Sequence, residues 1–437
     1  MESKISLLEL NTEISDNRSA FLTGNGFSIN FDKGFSNLYD NLYSAHEILI
    51  NNSQFKVKSN HVFNKICKDN YKSVMQYLKY FSEADLLILF QDAALFAESI
   101  ISNEQLIAEL WKSNIITKLT FGFSQIEPLT QICEVSKERG IKFVNIEHWT
   151  ILIYFYAAIK NINPSCYEFP TNNTFIMALK HGSKNKQNFV EGQDGTFELY
   201  SDVIFNGFTT YFRMLFSIAI FSKGKAVNFD KLDNRDTIDL NKLNEFLNEF
   251  DLLLSLNYDN IMEKVALKKV EHLHGEFVLN KEEYVYNQSY GMNSEEGYVS
   301  FSDILIGDYF IFKSFLPVVN KLSAQRGFIN KKIDTFGRKL ERLFSENSIT
   351  TAVVFGMSIE NDYHVLRNMM LAFYNSGVKE PHIIYSYFNE KEKQDFIEEF
   401  DNVITFSEEV NIYCRNIKVS YVQTQEVLST YFYKKFK

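Results

Sequence analysis

Short, continuous apolar runs that alternate with helical segments are the feature that most constrains the fold of this chain. The clearest run is TTAVVF at 350–355, and similar runs lie at 19–23, 252–256, 270–277, 303–306, 382–386 and 402–406. Strands that are apolar on both faces are typical of a parallel sheet covered by helices on both sides. Their alternation with helices predicts a doubly wound, mostly parallel α/β fold of the Rossmann-like kind.

The spacing of apolar residues changes between the first of these strands and the others. Residues 59–248 are dominated by segments with apolar residues three to four positions apart, the spacing of helices that bury one face. We therefore expect 1–58 and 249–437 to form the α/β domain, with 59–248 inserted as a predominantly helical subdomain. A chain of 437 residues, 45% of them hydrophobic, is long enough to build a core in each part.

Composition and charge argue against several classes of protein. The formal net charge of -10 opposes direct binding to nucleic acid and to anionic membranes. The first residues lack the apolar core of a secretion signal and no apolar run reaches transmembrane length, which favours a cytoplasmic location. No metal is expected, and no disulfide framework either, because the four cysteines form no CxxC pair: Cys67, Cys133, Cys166 and Cys414.

Two segments that follow predicted strands are suited to binding a ligand, since open parallel sheets bind ligands beyond the carboxyl ends of their strands. In Gly24-Asn25-Gly26-Phe27-Ser28, two glycines allow a tight turn and close approach of the backbone to a pyrophosphate. In Asn257-Tyr258-Asp259, the first residue is placed to project into the crevice. A plain strand-to-loop connection explains the first segment equally well, and Asn257 or Asp259 is also a suitable helix cap.

Two later segments carry polar residues at corresponding positions. Strand alternation places His272 and His274 on one face, and His274, just before Gly275, is a candidate general base. A hydrogen-bonded sheet histidine is the alternative. The strand at 350–355 ends in Gly356-Met357-Ser358, where small residues allow a ligand to approach. Asp362 lies just beyond, either as a ligand contact or as a first-turn partner of the helix dipole.

Together, the four segments resemble the sirtuin-like NAD-binding family, in which a glycine turn, an Asn-x-Asp, a His-Gly and a Gly-x-Ser follow one another in this order. The zinc-binding cysteines of the protein-deacylase branch are absent, and the first turn reads Gly-Asn-Gly instead of Gly-Ala-Gly. The closer likeness is to bacterial sirtuin-like proteins of antiphage defence. The resemblance spans 19–58 and 250–410 and does not extend to the helical segment.

This likeness implies an NAD hydrolase that releases nicotinamide and ADP-ribose and so depletes NAD in an infected cell. Asn257 would orient the nicotinamide ribose or the attacking water, and His274 would act as general base without a metal. The remaining predicted cofactor-binding residues fall into three sets. Gly24, Gly26, Ser28, Gly356 and Ser358 would hold the pyrophosphate and adenosine, Asp259 would support the ribose, and Asn25, Phe27, Tyr258 and Asp362 complete the site.

Two other functions stay open at this level. The chain would also fit a non-catalytic NAD- or ADP-ribose-binding regulatory subunit, or an NAD-dependent ADP-ribosyl transferase. Aromatic residues make up 15% of the chain, which favours a homo-oligomer or a partner protein from a defence operon. Core packing accounts for many of these aromatic residues equally well.

Overall fold

In a computed structural model of this chain, the residues described are 3–36, 38–51, 55–59, 64–117, 124–184, 195–280, 288–301 and 336–435. Contacts divide the chain into two compact units. Unit 1 comprises Met1–Ser36, Phe221–Phe277 and Ile333–Lys437, and unit 2 comprises Asn37–Ile220 and Val278–Lys332. The chain thus passes from one unit to the other after residues 36, 220, 277 and 332, whereas the expected boundaries lie after 58 and after 248. Unit 2 also includes a second, later segment of the chain.

The strands and helices are numbered along the described part of the chain. The strands are β1 (Ser3–Lys4), β2 (Ser19–Thr23), β3 (Phe55–Ser59), β4 (Leu252–Ser255), β5 (Glu271–His272), β6 (Val278–Leu279), β7 (Gln288–Ser294), β8 (Gly297–Ser300), β9 (Thr351–Phe355), β10 (His382–Tyr387) and β11 (Lys418–Gln423). The helices are α1 (Leu7–Asp16), α2 (Asn25–Ser28), α3 (Leu42–Ile50), α4 (Asn64–Leu78), α5 (Glu83–Ile101), α6 (Glu104–Lys112), α7 (Ile126–Glu138), α8 (Trp149–Ile162), α9 (Thr174–Gly182), α10 (Gly195–Ile204), α11 (Gly207–Phe221), α12 (Leu240–Asn248), α13 (Ile261–Ala266), α14 (Phe336–Asn347), α15 (Ile359–Asn375), α16 (Glu390–Asn402), α17 (Glu408–Arg415) and α18 (Thr424–Val427).

Unit 1 is built on a seven-stranded sheet in which every neighbouring pair is parallel. Its order is β1-β11-β10-β9-β2-β4-β5. Apart from β1, the strands run outward from the centre as β2-β4-β5 on one side and β9-β10-β11 on the other. This is the strand order of dinucleotide-binding α/β sheets, and the order reverses between β2 and β9. The expected α/β class with a parallel sheet is confirmed, and the fold is compatible with a Rossmann-like one.

Both faces of the sheet are covered by helices. Successive side chains of a strand point to opposite sides, so each strand contributes to the packing on both faces. On one face, Phe21, Leu253 and Val353 join a core that includes residues of α1, α12 and α13. On the other face, Tyr385 of β10 stacks on Phe396 of α16, with ring centroids 4.0 Å apart. The five residues of β2 are all buried, which explains why this strand reads as a continuous apolar run.

Most of the predicted strands are found close to their expected positions. The runs at 19–23, 252–256, 350–355 and 382–386 form β2, β4, β9 and β10, whereas the run at 270–277 forms only the two-residue β5. The run at 303–306 lies outside the described residues.

The prediction of a strand at 402–406 is wrong. Asn402 ends α16, and the loop after it is held by Arg367, whose guanidinium donates to the carbonyl oxygens of Val403 and Thr405. The last strand of the sheet is β11 instead. Its polar Lys418 and Ser420 interrupt the apolar pattern that would have revealed it.

Unit 2 combines the helices α3 to α11 with a small antiparallel sheet of order β3-β7-β8-β6, which the sequence did not predict. At its centre, α8 buries every residue from Trp149 to Ile159. A helix that is apolar on all sides is a core helix. Within the described residues, no single helix is long and apolar enough to cross a membrane. Glu198–Ile204 and Gly207–Gly224 meet that length and composition only as a pair bent by 47°.

Candidate functional site

Two glycine turns meet at the point where the strand order reverses. The amide of Gly24 donates to the carbonyl oxygen of Phe355 at 3.1 Å, and that of Gly26 donates to the carbonyl oxygen of Gly356 at 2.8 Å. A Cβ on Gly26 would lie 2.6 Å from the Cα of Gly356, and a Cβ on Gly24 would lie 2.7 Å from the carbonyl oxygen of Gly356. Gly356 also has a φ of +62°. These positions therefore require glycine for backbone packing, whether or not a ligand binds.

A hydrogen-bond network of Ser28, Asn257 and Asp259, in which Asn257 is only half-buried, fixes the Asn257 side chain beside the first glycine turn. The Asn257 Nδ2 donates to the carbonyl oxygen of Gly24 at 3.0 Å and to the Ser28 Oγ at 2.8 Å. The Ser28 Oγ donates in turn to the Asp259 Oδ2 at 2.7 Å. Because the Gly24 carbonyl can only accept, the nitrogen of the amide must face the turn. Within the described residues, the Asn257 Oδ1 then accepts no hydrogen bond.

Asp259 supports this network from within the protein. Its Oδ1 accepts a hydrogen bond from the amide of Ile261 at 3.1 Å, which ties the start of α13 to the site. Burial raises the pKa of Asp259 to about 6, against the opposing effect of hydrogen bonds from Ser28 and Ile261. Asp259 is not the N-cap of α13, which is Asn260, and its carboxyl group is instead an internal partner of Ser28 and of the Ile261 amide.

The two histidines of the His-x-His segment have different partners. The strand β5 ends at His272, so the alternation that predicted a shared face does not extend to His274. His272 contacts the carbonyl oxygen of Asn257 through Nδ1 at 2.7 Å and the Glu263 Oε1 through Nε2 at 2.5 Å. The distances between potential ligand atoms of Glu263, His272 and Glu276 are all within 4.8 Å, so these residues form a possible metal-ligand set that the sequence did not predict.

His274 pairs with a second histidine, His364 of α15. Their Nε2 atoms are 3.1 Å apart and their rings stack at 17°, with Phe336 packed against both. Only one proton can lie between two facing imidazole nitrogens, so one ring donates and the other accepts. We call His274 and His364 the histidine pair. It links the segment after β5 to the helix that follows the second glycine turn.

Sequence reasoning missed His364, Glu263 and Glu276, which the structure brings to this site. His364 is a polar residue on the buried side of a helix, where its carbonyl oxygen accepts from the Asn368 side chain at 2.7 Å. Glu263 lies in the short helix α13, which begins at Ile261, shortly after Asn257. For His364, the signal in the sequence was a histidine among apolar positions of the helix that follows the second glycine turn.

Other predicted residues lie at the rim of the site. Asn25 is exposed, and its Nδ2 donates to the carbonyl oxygen of Phe35 at 2.9 Å. Ser358 is also exposed and precedes the first turn of α15, where its Oγ accepts from the Asn361 Nδ2 at 3.1 Å. Asp362 is half-buried at a kink in α15, with a φ of -118°.

Two predicted cofactor-binding side chains lie in the interior instead. The ring of Phe27 belongs to the core of unit 1 and packs against Phe31 and Phe432. Tyr258 is also buried, and its carbonyl oxygen accepts from the amide of Phe277 at 3.0 Å. The apolar ring of Phe27 follows the helical turn of α2 inward, so its side chain is not available to a ligand at the turn.

The fold and this cluster define an α/β protein with a parallel, Rossmann-like sheet and a polar site at its switch point. No protein family model, no curated protein and no solved structure matches the chain.

Proposed function

We propose that this chain is a sirtuin-like NAD hydrolase whose site lies at the carboxyl ends of β2, β4 and β9. The observation that carries the proposal is the meeting of three segments that are far apart in the sequence. The turn at Gly24–Gly26 packs on Gly356 and accepts a hydrogen bond from Asn257. In open parallel sheets this is the position at which dinucleotides bind.

The glycine turns support binding of the pyrophosphate half of NAD. Their backbones carry no side chains that would keep a phosphate away. The exposed Ser358 precedes a helix of 17 residues, whose amino-terminal end attracts negative charge. Glu360 and Asp362 in the first turn of this helix offset that attraction by their negative charge. We therefore expect the phosphates to be bound by hydrogen bonds from the Ser358 hydroxyl and from backbone groups, and not by a strong positive charge.

Asn257 and His274 support the hydrolytic step. When the bond between the ribose C1′ and the nicotinamide nitrogen breaks, its electron pair leaves with nicotinamide and positive charge develops on the ribose. The Asn257 Oδ1, held by the network behind it, is suited to orient a ribose hydroxyl or the attacking water. His274 takes the proton of that water as its oxygen bonds to C1′, a role that typically contributes a factor of about 10²–10⁴.

The activity proposed by resemblance is NAD depletion in antiphage defence in the cytoplasm, with a homo-oligomer or a partner protein controlling the enzyme. A hydrolase of this kind must be silent until it is triggered. Assays therefore need both the purified chain and the chain mixed with extract from phage-infected cells.

A non-catalytic NAD- or ADP-ribose-binding subunit is the second candidate, and one observation favours it. Ser28, Asn257 and Asp259 are bonded to one another, and His274 is only 5% exposed. A site that is already satisfied internally is suited to binding a nucleotide without reacting with it. Such a protein would be stabilised by NAD and would release no nicotinamide.

The deciding experiment measures nicotinamide release from NAD by the wild type, Asn257→Ala and His274→Ala. His181→Ala is the matched control, because His181 also precedes a glycine but stacks on Tyr77 in unit 2. We expect the His274 variant to be slower by about 10²–10⁴-fold and the control to be unchanged. Stabilisation by NAD without release under either condition would support the binding subunit, and an active His274→Ala would exclude the proposed base.

A further inference from the structure

A buried imidazole lies directly behind Asn257. The side chain of His272 is 2% exposed and is held at both ring nitrogens, by the Asn257 carbonyl oxygen at 2.7 Å and by the Glu263 Oε1 at 2.5 Å. The backbone of His272 is also fixed, since the Lys339 Nζ of α14 donates to the His272 carbonyl oxygen at 2.6 Å. His272 is therefore immobilised on a short strand next to the site.

The partners of His272 determine where its protons lie. A backbone carbonyl can only accept, so Nδ1 carries a proton, and an ionised carboxylate can only accept, so Nε2 carries one as well. A second carboxylate, that of Glu276, is 3.9 Å from Nε2 and is itself held by the Asn260 side chain. Burial alone would lower the pKa of His272, but the hydrogen bond and charge of Glu263, with the charge of Glu276, raise it above its usual value.

A proton fits between His272 and Glu263 better than a metal ion does. Nitrogen and oxygen ligands at about 2.0–2.2 Å from a tetrahedral metal are more than about 3 Å apart. The Nε2 to Oε1 distance is 2.5 Å, which is within hydrogen-bonding reach and too short for both atoms to bind one metal ion. Glu263 and His272 are therefore joined by a hydrogen bond, and the Glu276 carboxyl group lies farther from the ring.

We propose that Glu263 and His272 are positioning residues for Asn257, an inference that rests on the proposed role of Asn257 in NAD cleavage. The His272 Nδ1 donates to the carbonyl oxygen of Asn257 and holds its backbone, while Gly24 and Ser28 hold the side-chain amide from the other end. The amide is then fixed at both ends before a ligand arrives. Neither positioning residue touches the reacting atoms.

Two substitutions at His272 separate its two hydrogen bonds. In His272→Asn the side-chain nitrogen replaces Nδ1 and retains the contact with the Asn257 carbonyl, whereas in His272→Gln it replaces Nε2 and retains only the contact with Glu263. Glu263→Gln keeps an acceptor but removes the charge. Glu276→Gln is the matched control, because this side chain is 42% exposed and lies farther from the ring.

The first measurement does not depend on activity. In the full chain labelled with ¹⁵N at histidine and asparagine, we expect His272 to show two protonated nitrogens at pH 7.5. Glu263→Gln should remove one of these protons and shift the side-chain amide signals of Asn257, and Glu276→Gln should leave both unchanged. A singly protonated His272 in the wild type, a bound divalent ion per chain, or unchanged Asn257 signals in Glu263→Gln would overturn the inference.

The second measurement is NAD turnover. We expect kcat to fall by roughly tenfold in Glu263→Gln and in His272→Gln, with KM little changed and His272→Asn close to the wild type. Equal losses in both His272 variants would show a merely structural role and overturn the inference. If the wild type cleaves no NAD, the proposed function fails, and the nitrogen and amide signals alone then decide whether Glu263 and His272 position Asn257.

Discussion

The glycine turns and the histidine pair occupy the same end of the sheet in unit 1 but are built by different means. At the turns, two backbones touch, and there is no space for a side chain at Gly26 or Gly356. At the histidine pair, two imidazoles share one proton position beside Phe336. The glycine turns are thus defined by backbone packing, whereas the histidine pair carries protons that can be exchanged.

This difference determines which substitutions can report on function. A change in the glycine turns alters the sheet itself, so a loss of activity there would not distinguish a ligand contact from a folding requirement. A change in the histidine pair removes a proton-carrying group from a helix and a loop whose packing is otherwise intact. Function is therefore best tested at the histidine pair, and fold at the glycine turns.

The largest effect is expected for Gly356→Ala. Its matched control is Gly377→Ala, because Gly377 has a similar φ of +69° but nothing within 4 Å of a Cβ, whereas a Cβ on Gly356 would meet the backbone of Gly26 at 2.7 Å. The control should lose about 1–2 kcal/mol through backbone strain alone. Gly356→Ala should lose more than about 4 kcal/mol or fail to fold, as measured by urea unfolding. Equal losses in the two variants would refute the idea that the turns are fixed by mutual contact.

A smaller effect is expected for Asp259→Asn, in the network between the two regions. The pKa of Asp259 is raised to about 6, so the folded state binds this proton more tightly than the unfolded chain does. The contribution of Asp259 to stability is therefore greatest at low pH and falls as pH rises from about 4 through 6, by about 3 kcal/mol in total. Asparagine does not titrate.

The measurement for Asp259 is the difference in unfolding free energy between wild type and variant across this pH range. It should move in favour of Asp259→Asn as pH rises, because only the wild type then acquires a buried charge. A difference that stays constant from pH 4 to pH 7 would mean that Asp259 ionises as easily in the folded as in the unfolded chain.

The smallest effect is expected for His364→Asn in the histidine pair. The loss of one hydrogen bond to the proposed base should slow NAD cleavage about fivefold, far less than removal of His274 itself. Urea unfolding should show a loss of stability that is smaller than that of Gly356→Ala, because the substitution removes part of one buried ring and leaves the backbone unstrained. If His364→Asn were as inactive as His274→Ala, His364 would share the role of the base and would not merely orient it.

Much of the sheet could be predicted because its strands are local patterns. Thr351–Phe355 and Ser19–Thr23 are buried on both faces and so read as continuous apolar runs. The strand Lys418–Gln423 was missed because its polar residues break that pattern, although the parallel neighbour β10 holds it in place. In the antiparallel sheet of unit 2, β3 was missed because it pairs with β7 across more than 200 residues of sequence, as Phe55 does with Met292. The strands β6, β7 and β8 pair locally, but β6 has only two residues and the sequence of β7, QSYGMNS, is mostly polar and contains a glycine.

The sequence by itself determined which residues stand at the strand ends: the glycines, Asn257 and His274 follow directly from local patterns of apolar and small residues. Only the tertiary structure decided their partners. In the folded chain, the ring of Phe27 packs in the core and Ser28 donates a hydrogen bond to Asp259. His272 contacts the Glu263 carboxyl group, and His274 contacts a second imidazole, that of His364. Backbone preference is set by neighbours in the chain, whereas hydrogen-bond partners and buried charge are set by segments that meet only when the sheet is packed.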